Sequence, residues 1–366
     1  MTAYYVDARA GNDAWAGSQQ KPLKTIQKAA AKAVAGDVVF VLPGAYSGTV
    51  KVSKSGTAAK PIAFKSVARH QAVLNGTFEV KGQSHVHITG FRIQKGGYGV
   101  RVEGQSQGVV IGGNYFFDTN SSAVSAWGVP FKAQPSLYNW RGVRDITVTD
   151  NDFDHCCDGG YNEIASFANG VDGVTMTDNR IFNPGATTNG GEGPDFKCGV
   201  KNVRYLRNKH TGLRKVATYV DGGCPESGLY KDPWNGVNQN IEIAFNEYLN
   251  CGAAINVSSE AAGSCIGVDV HDNWIEGGRA HGVLFYLHPK AKQWAPRTWQ
   301  HSRMEDLTAR RNVVIGKPIG FVVNCAIGKR MRVIENMPYR IATPYQLLAG
   351  QYTCDRALAK TKPVKG

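Results

Sequence analysis

An all-β solenoid of short parallel strands is the fold class this sequence predicts, on three observations. Eight asparagines recur down the chain, each closing a short run: Asn114 (GVVIGGN), Asn151 (DITVTDN), Asn179 (GVTMTDN), Asn208 (NVRYLRN), Asn246 (NIEIAFN), Asn273 (GVDVHDN), Asn312 (DLTARRN) and Asn336 (RMRVIEN). The gaps between them are 37, 28, 29, 38, 27, 39 and 24 residues, a period at which one supersecondary unit stacks on copies of itself. Within the runs apolar and polar residues alternate with period 2, and no unit holds a helix-length apolar period. An asparagine repeated at one corner can turn inward and bond the backbone of the next coil, which is a reason for the residue type to recur.

The elements follow in order. AYYVDA opens the chain as a strand, followed by a polar turn segment. PLKTIQKAAAKAVAGD then carries helix signals, with Pro22 near its start, an Ala-rich body and Gly36 at its end. Leu23, Ile26, Ala30 and Ala33 share one face, so a short amphipathic helix is expected to cover the open end of the solenoid core. VVFVLPG, TVKVSKSG and PIAFKSV read as early strands. One domain is expected over residues 1–350, with the cap and first strands in 1–84 and regular coils in 85–350, then a mobile basic tail over 351–366.

Composition bounds the partners. The chain has 366 residues, 42% hydrophobic, with 43 Gly and 15 Pro, which suits an ordered fold with several turns per coil. A net charge of +13 points to an anionic partner. No dense Lys/Arg tract is present, so an acidic polysaccharide or oligosaccharide is expected and nucleic acid is not. Cys156, Cys157, Cys198, Cys224, Cys251, Cys265, Cys325 and Cys354 show no zinc spacing. They read either as disulfides of an oxidising compartment or as buried thiols. No apolar stretch is long enough to span a membrane. MTAYYVDARAG reads as a mature N-terminus behind an added Met, and a secreted or periplasmic monomer is expected.

The run YYVDARAGNDAWAG, then KPLKTIQKAAAKAVAGDVVFVLPGAYSGTV, then the asparagine-ended coils resembles the secreted right-handed parallel β-helix proteins of the pectate-lyase-like superfamily. The resemblance covers nearly the whole chain. It implies a right-handed parallel β-helix with a short N-terminal capping helix. It leaves the chemistry open, because that superfamily includes lyases, hydrolases, epimerases and phage depolymerases.

A second strand after each asparagine aligns as AVSAW, GPDFK, ATYVD, AINVS and GVLFY. Val124, Phe196, Val220, Val257 and Phe285 point inward, so alternate positions point out. One outward row reads Ser125, Asp195, Tyr219, Asn256, Leu284; the next reads Trp127, Lys197, Asp221, Ser258, Tyr286. Glu260 and His288 lie one step further out, with Glu192 and Glu163 nearby. A plain solvated face would scatter Lys, Thr and Gln; here ionisable groups gather in three adjacent coils. A ladder of paired charges holding coils together is the structural alternative. The three longest repeats carry insertions after this strand: VPFKAQPSLYNWRG, CPESGLYKDPWNG and AKQWAPRTWQHSR. Trp127, Trp140, Trp234, Trp294 and Trp299 lie at or inside them, placed to wall a groove and stack on sugar rings or to pack the loops onto the body.

Two chemistries suit the cluster. In β-elimination on a uronic acid polymer, Ca²⁺ on Glu192, Asp195 and Asp221, or a cationic clamp, would neutralise the uronate carboxylate. Lys197 would be the base, as Lys or Arg is in several families of the superfamily, with Tyr219 or His288 in reserve. Arg214, Lys215 and His288 would hold substrate carboxylates, with Asn256, Tyr286, Trp127, Trp234, Trp294 and Trp299 lining the groove. Carboxylates beside Lys197 favour its charged form, which counts against it as a base unless Ca²⁺ cancels their field. In glycoside hydrolysis, Asp195 and Asp221 fall on a diagonal of roughly 8 Å, in the inverting range, with Glu260 able to replace either. The acid-pair motifs of polygalacturonases are absent. Elimination is the leading expectation, hydrolysis the alternative, and a β-helix that only binds polysaccharide the third.

Overall fold

The computed structural model describes residues 1–128, 142–159, 163–184, 190–222, 236–259, 263–287, 302–356, 363 and 365. They build a right-handed parallel β-helix with one short helix at its N-terminal end. Each regular coil holds three strands, not the two that alternation predicts. One coil runs Asp172–Thr177, Arg180–Phe182 and Glu192–Lys197. The next runs Lys201–Leu206, Lys209–Thr211 and Val216–Asp221, and each strand pairs in parallel with its counterpart. The three ladders are called here the asparagine sheet, the short-strand sheet and the working sheet. Strands of three residues are too short to show an alternating pattern, so the middle ladder is silent in the sequence.

The corner between the first two sheets explains the repeat. Asn208 Oδ1 accepts from both the backbone N (3.0 Å) and Nδ2 (2.9 Å) of Asn179. Asn208 Nδ2 donates to Met176 O of the preceding coil at 3.0 Å and to Asn246 Oδ1 of the following one at 3.1 Å. The same pattern links Asn114 through Asn336, and all eight side chains are buried. The residue before each asparagine is left-handed, including Asp178 (φ 59°), Arg207 (φ 55°) and Phe245 (φ 57°). That conformation turns the chain sharply enough to aim the asparagine inward.

Packing follows from stacking like on like. Phe167 lies on Phe196 with centroids 5.3 Å apart and planes 14° apart, and Phe116 lies on Phe153 at 5.1 Å. Such offset stacks add to the area the rings bury. The cap helix is Ile26–Lys32, shorter than its sequence signal, with Thr25 Oγ1 accepting from Lys28 N at 3.2 Å. Leu23, Ile26, Ala30 and Ala33 are buried as expected, although Leu23 pairs with Val6 and Ala33 is the C-cap. No helix among the described residues is long and apolar enough to cross a membrane. The strand Tyr352–Cys354 pairs with Met331–Ile334, so coil structure continues into the segment read as a tail, and Lys365 reaches Glu247 as an ion pair.

Cys156, Cys157, Cys198, Cys251, Cys265 and Cys325 are buried thiols, and Cys354 is a partly buried one. Among the described residues the cysteines therefore follow the thiol alternative; Cys224 lies outside them.

Candidate active site

The working sheet sets the site by register. Ser125, Ser166, Asp195, Tyr219, Asn256 and Leu284 pair in succession along one outward row. Trp127, Ala168, Lys197, Asp221, Ser258 and Tyr286 make the next. Both rows match the expected alignment, with the coil of Glu163–Ala168 inserted at Ser166 and Ala168. Val124 is one row off: it pairs with Ala165, and Ala126 and Phe167 occupy the row of Phe196. Close approach of the strands needs Gly193, where a Cβ would lie 1.8 Å from Ala217 O. Buried Asn238 ties the rows together. Its Nδ2 donates to Phe196 O (3.0 Å) and Asp221 O (2.7 Å), and its Oδ1 accepts from Gly199 N and Val200 N.

At the centre, the Lys197 ammonium touches Glu163 Oε1 and lies 3.1 Å from Asp195 Oδ2. Two carboxyls thus share one cation. Burial works against the charged lysine, but Asp195 and Glu163 outweigh it and hold its pKa well above the ordinary value. Asp195 is 3% exposed, and its Oδ1 has no hydrogen-bond partner among the described residues. Burial pushes Asp195 up to about 8; Lys197 pulls down, and Glu163 and Glu192 push further up. The charge count says the same: two carboxyls against one ammonium leave room for one proton, and the more buried group takes it. Around this core, Lys215 Nζ lies 4.0 Å from Glu192 Oε1, and the Tyr219 hydroxyl lies 3.0 Å from Ser258 Oγ. The Arg214 guanidinium donates to Gly190 O (3.2 Å) and Pro184 O (3.4 Å).

Against known proteins, a family described as "Protein of unknown function (DUF1565)" matches residues 9–203, more than half of the chain. The chain belongs to the DUF1565 family. The uncharacterized protein YwoF of Bacillus subtilis (strain 168) is 38% identical over 66 residues, which span 18% of this chain and 14% of that protein. An alginate lyase from Paenibacillus sp. str. FPU-7 is similar in structure, with TM-score 0.51 and 15% identity over 94% of this chain and 98% of that one. The surface adhesin PfbA of Streptococcus pneumoniae is similar at TM-score 0.51 and 13% identity, over 88% of this chain and 94% of that one. Identities this low carry the fold, and function has to come from the site.

In this DUF1565 chain the structure brings Glu163, Asp195 and Lys197 into contact and places Asp221 beside Lys197 in register. Lys197 is badly placed as a base, because its ammonium is held between two carboxyls. The calcium set Glu192, Asp195 and Asp221 is split between two cations in this arrangement. Asp195 faces Lys197, Glu192 faces Lys215, and no three His, Cys, Asp or Glu side chains among the described residues are arranged to hold a metal. Glu260, His288, Trp140, Trp234, Trp294 and Trp299 lie outside the described residues. Asn238, His281 and Lys317 are polar residues of this region that sequence reasoning missed. Only His281 left a signal, since HGVLFY continues the aligned strand by one residue toward its start.

Proposed function

We propose that this protein cleaves the glycosidic bonds of an acidic polysaccharide by hydrolysis, with Asp195 as the proton donor. The observation that carries the reading is the setting of Asp195: buried, with one oxygen on Lys197, the other without a hydrogen-bond partner among the described residues, and a pKa that burial pushes up to about 8. A carboxylic acid kept neutral beside an ionised partner is what protonation of a leaving oxygen requires. Asp221 is the second carboxylate, at the diagonal of roughly 8 Å that leaves room for an attacking water and inverts the anomeric centre. Lys197 orients Asp195 and balances Glu163. The net charge of +13 favours an anionic polymer, and a location outside the cell goes with such a substrate. The alginate lyase of similar fold acts, by its name, on such a polymer.

Elimination is the second reading, and the Tyr219 hydroxyl, 3.0 Å from Ser258 Oγ and one coil from Asp195, would be its base. The test is incubation with a panel of acidic polysaccharides, following reducing ends and ultraviolet absorbance together. New reducing ends without absorbance, lost in Asp195→Asn and Asp221→Asn, support hydrolysis. Ends accompanied by the absorbance of an unsaturated uronate replace it with elimination. No new ends on any polymer leaves a β-helix that only binds.

A further inference from the structure

The acid centre sets three carboxyls, Glu163, Glu192 and Asp195, against two ammoniums, Lys197 and Lys215. Glu163 opens the strand Glu163–Ala168, its backbone fixed by Ser122 Oγ, which donates to Glu163 O at 2.8 Å. Glu163 and Glu192 pair in register on adjacent coils, roughly 4.8 Å apart. Each is answered by a different lysine. Lys215 lies 4.0 Å from Glu192, whereas the Lys197 ammonium rests on Glu163 and lies 3.1 Å from Asp195. Glu163 and Asp195 therefore compete for one ammonium, and Glu192 has its own. The register neighbours of Asp195 bring no further cation: Ser166 precedes it, Tyr219 follows it, and Asp221 is paired with Lys197.

We propose that Glu163 is a positioning residue for Asp195: by holding the Lys197 ammonium, it denies Asp195 the full ion pair that would strip its proton. The argument is one of charge balance. With Glu163 on Lys197 the ammonium is already offset, so ionising Asp195 would leave a negative charge uncompensated at a buried side chain. Without the Glu163 charge, ionised Asp195 and Lys197 would instead form a neutral pair. Two effects of Glu163 act in the same direction. It repels a charge on Asp195 directly, and it turns aside the ammonium that would attract one. Burial is the main push on Asp195 and Lys197 the main pull against it. Glu163 weakens that pull. A plain salt bridge between coils, made only to hold Lys197 in place, would leave the proton of Asp195 unaffected.

The role rests on the proposed function for its meaning in catalysis but not for its test. Full-length protein with carboxyl-labelled aspartate is titrated with acid and base in the absence of substrate. The Asp195 side-chain carbon, identified by its loss in Asp195→Asn, is followed by carbon NMR. In Glu163→Gln, which keeps an oxygen for Lys197 but not the charge, the Asp195 midpoint should fall by about one to three pH units. Glu163→Asp, one methylene short of Lys197, should lower it less. Either variant suffices if the other does not fold, which far-ultraviolet dichroism checks. Glu192→Gln removes an equal charge whose own partner is Lys215, so it should move the midpoint less than Glu163→Gln does. An unmoved or higher midpoint in the Glu163 variants, or an equal drop in Glu192→Gln, overturns the proposal. Turnover separates the two readings. Activity retained in Asp195→Asn sinks the acid assignment and leaves the dependence of the Asp195 midpoint on Glu163 standing.

Discussion

Lys197 is paired in register with Asp221 of the next coil, yet its ammonium turns back to Asp195 in its own strand and Glu163 in the coil before. That direction counts against a role as base. A base must lose its proton, and two carboxyls hold this one on.

The pH profile therefore separates the two roles by sign. With Asp195 as acid, the active form is protonated, so kcat/KM falls as pH rises through about 8. With Lys197 as base, activity would rise with pH instead. The measurement is kcat/KM across that range on the polymer that the substrate panel identifies. A rising limb there would return Lys197 to the base role.

Lys197→Met should lower kcat by about 100-fold, the low end of what one acid–base group contributes. Removing the ammonium also removes the charge and hydrogen bond that pull Asp195 down, so any residual basic limb moves to higher pH. Lys197→Arg keeps the charge and should restore much of the rate. A Met variant with an unmoved limb would mean that Lys197 does not act through Asp195.

The outward rows were legible because period 2 leaves no choice once Phe196, Val220, Val257 and Phe285 are assigned inward. The asparagine corner was legible because the same side chain solves the same backbone problem in every coil. Which way Lys197 turns was not, since register fixes where a strand residue stands and not which neighbour its long side chain reaches. Asn238 was hidden for a different reason. It acts once, after an insertion, and so has no repeat to betray it. Lys317 was hidden because a lysine in a turn reads as solvated, whereas this one is buried and reaches back two coils to the carbonyls of Cys251 and Gly252.

His210 should make the protein acid-sensitive. It is fully buried on the inner side of the short-strand sheet, stacked 4.6 Å from Tyr248, with Nε2 2.6 Å from the Tyr205 hydroxyl. Burial pushes it down to about 3 from 6.5. The unfolded chain thus takes the proton first, and the folded state loses stability as pH drops below 6.5. The loss is about 1.4 kcal/mol per pH unit until the folded pKa is reached. Urea midpoints of the protein and of His210→Phe, compared from neutral to acidic pH, isolate this group, because other titrations are common to both. Parallel curves would show that His210 protonates without unfolding.

Asn208 offers the sharpest test of the corner. Asn208→Ala removes the acceptor of Asn179 N and Asn179 Nδ2 and the two N–H groups that Met176 O, Leu206 O and Asn246 Oδ1 share, all inside the solenoid. At about 1 kcal/mol for each of these four hydrogens, the cost is about 4 kcal/mol. Asn208→Asp keeps the oxygen that accepts from Asn179 but replaces the donor to Met176 O with a second acceptor. At neutral pH it also buries a charge, so it should be at least as unstable as the alanine variant. Protonation restores a donor, and the folded state then binds that proton more tightly than the unfolded chain does. Stability of Asn208→Asp should consequently recover as pH falls toward the ordinary carboxyl range, while Asn208→Ala stays flat relative to the parent. Denaturation at two pH values reads the difference. An aspartate variant as stable as the parent at neutral pH would mean that the amide's donation to Met176 O contributes nothing, and that the ladder is held by the acceptor side alone.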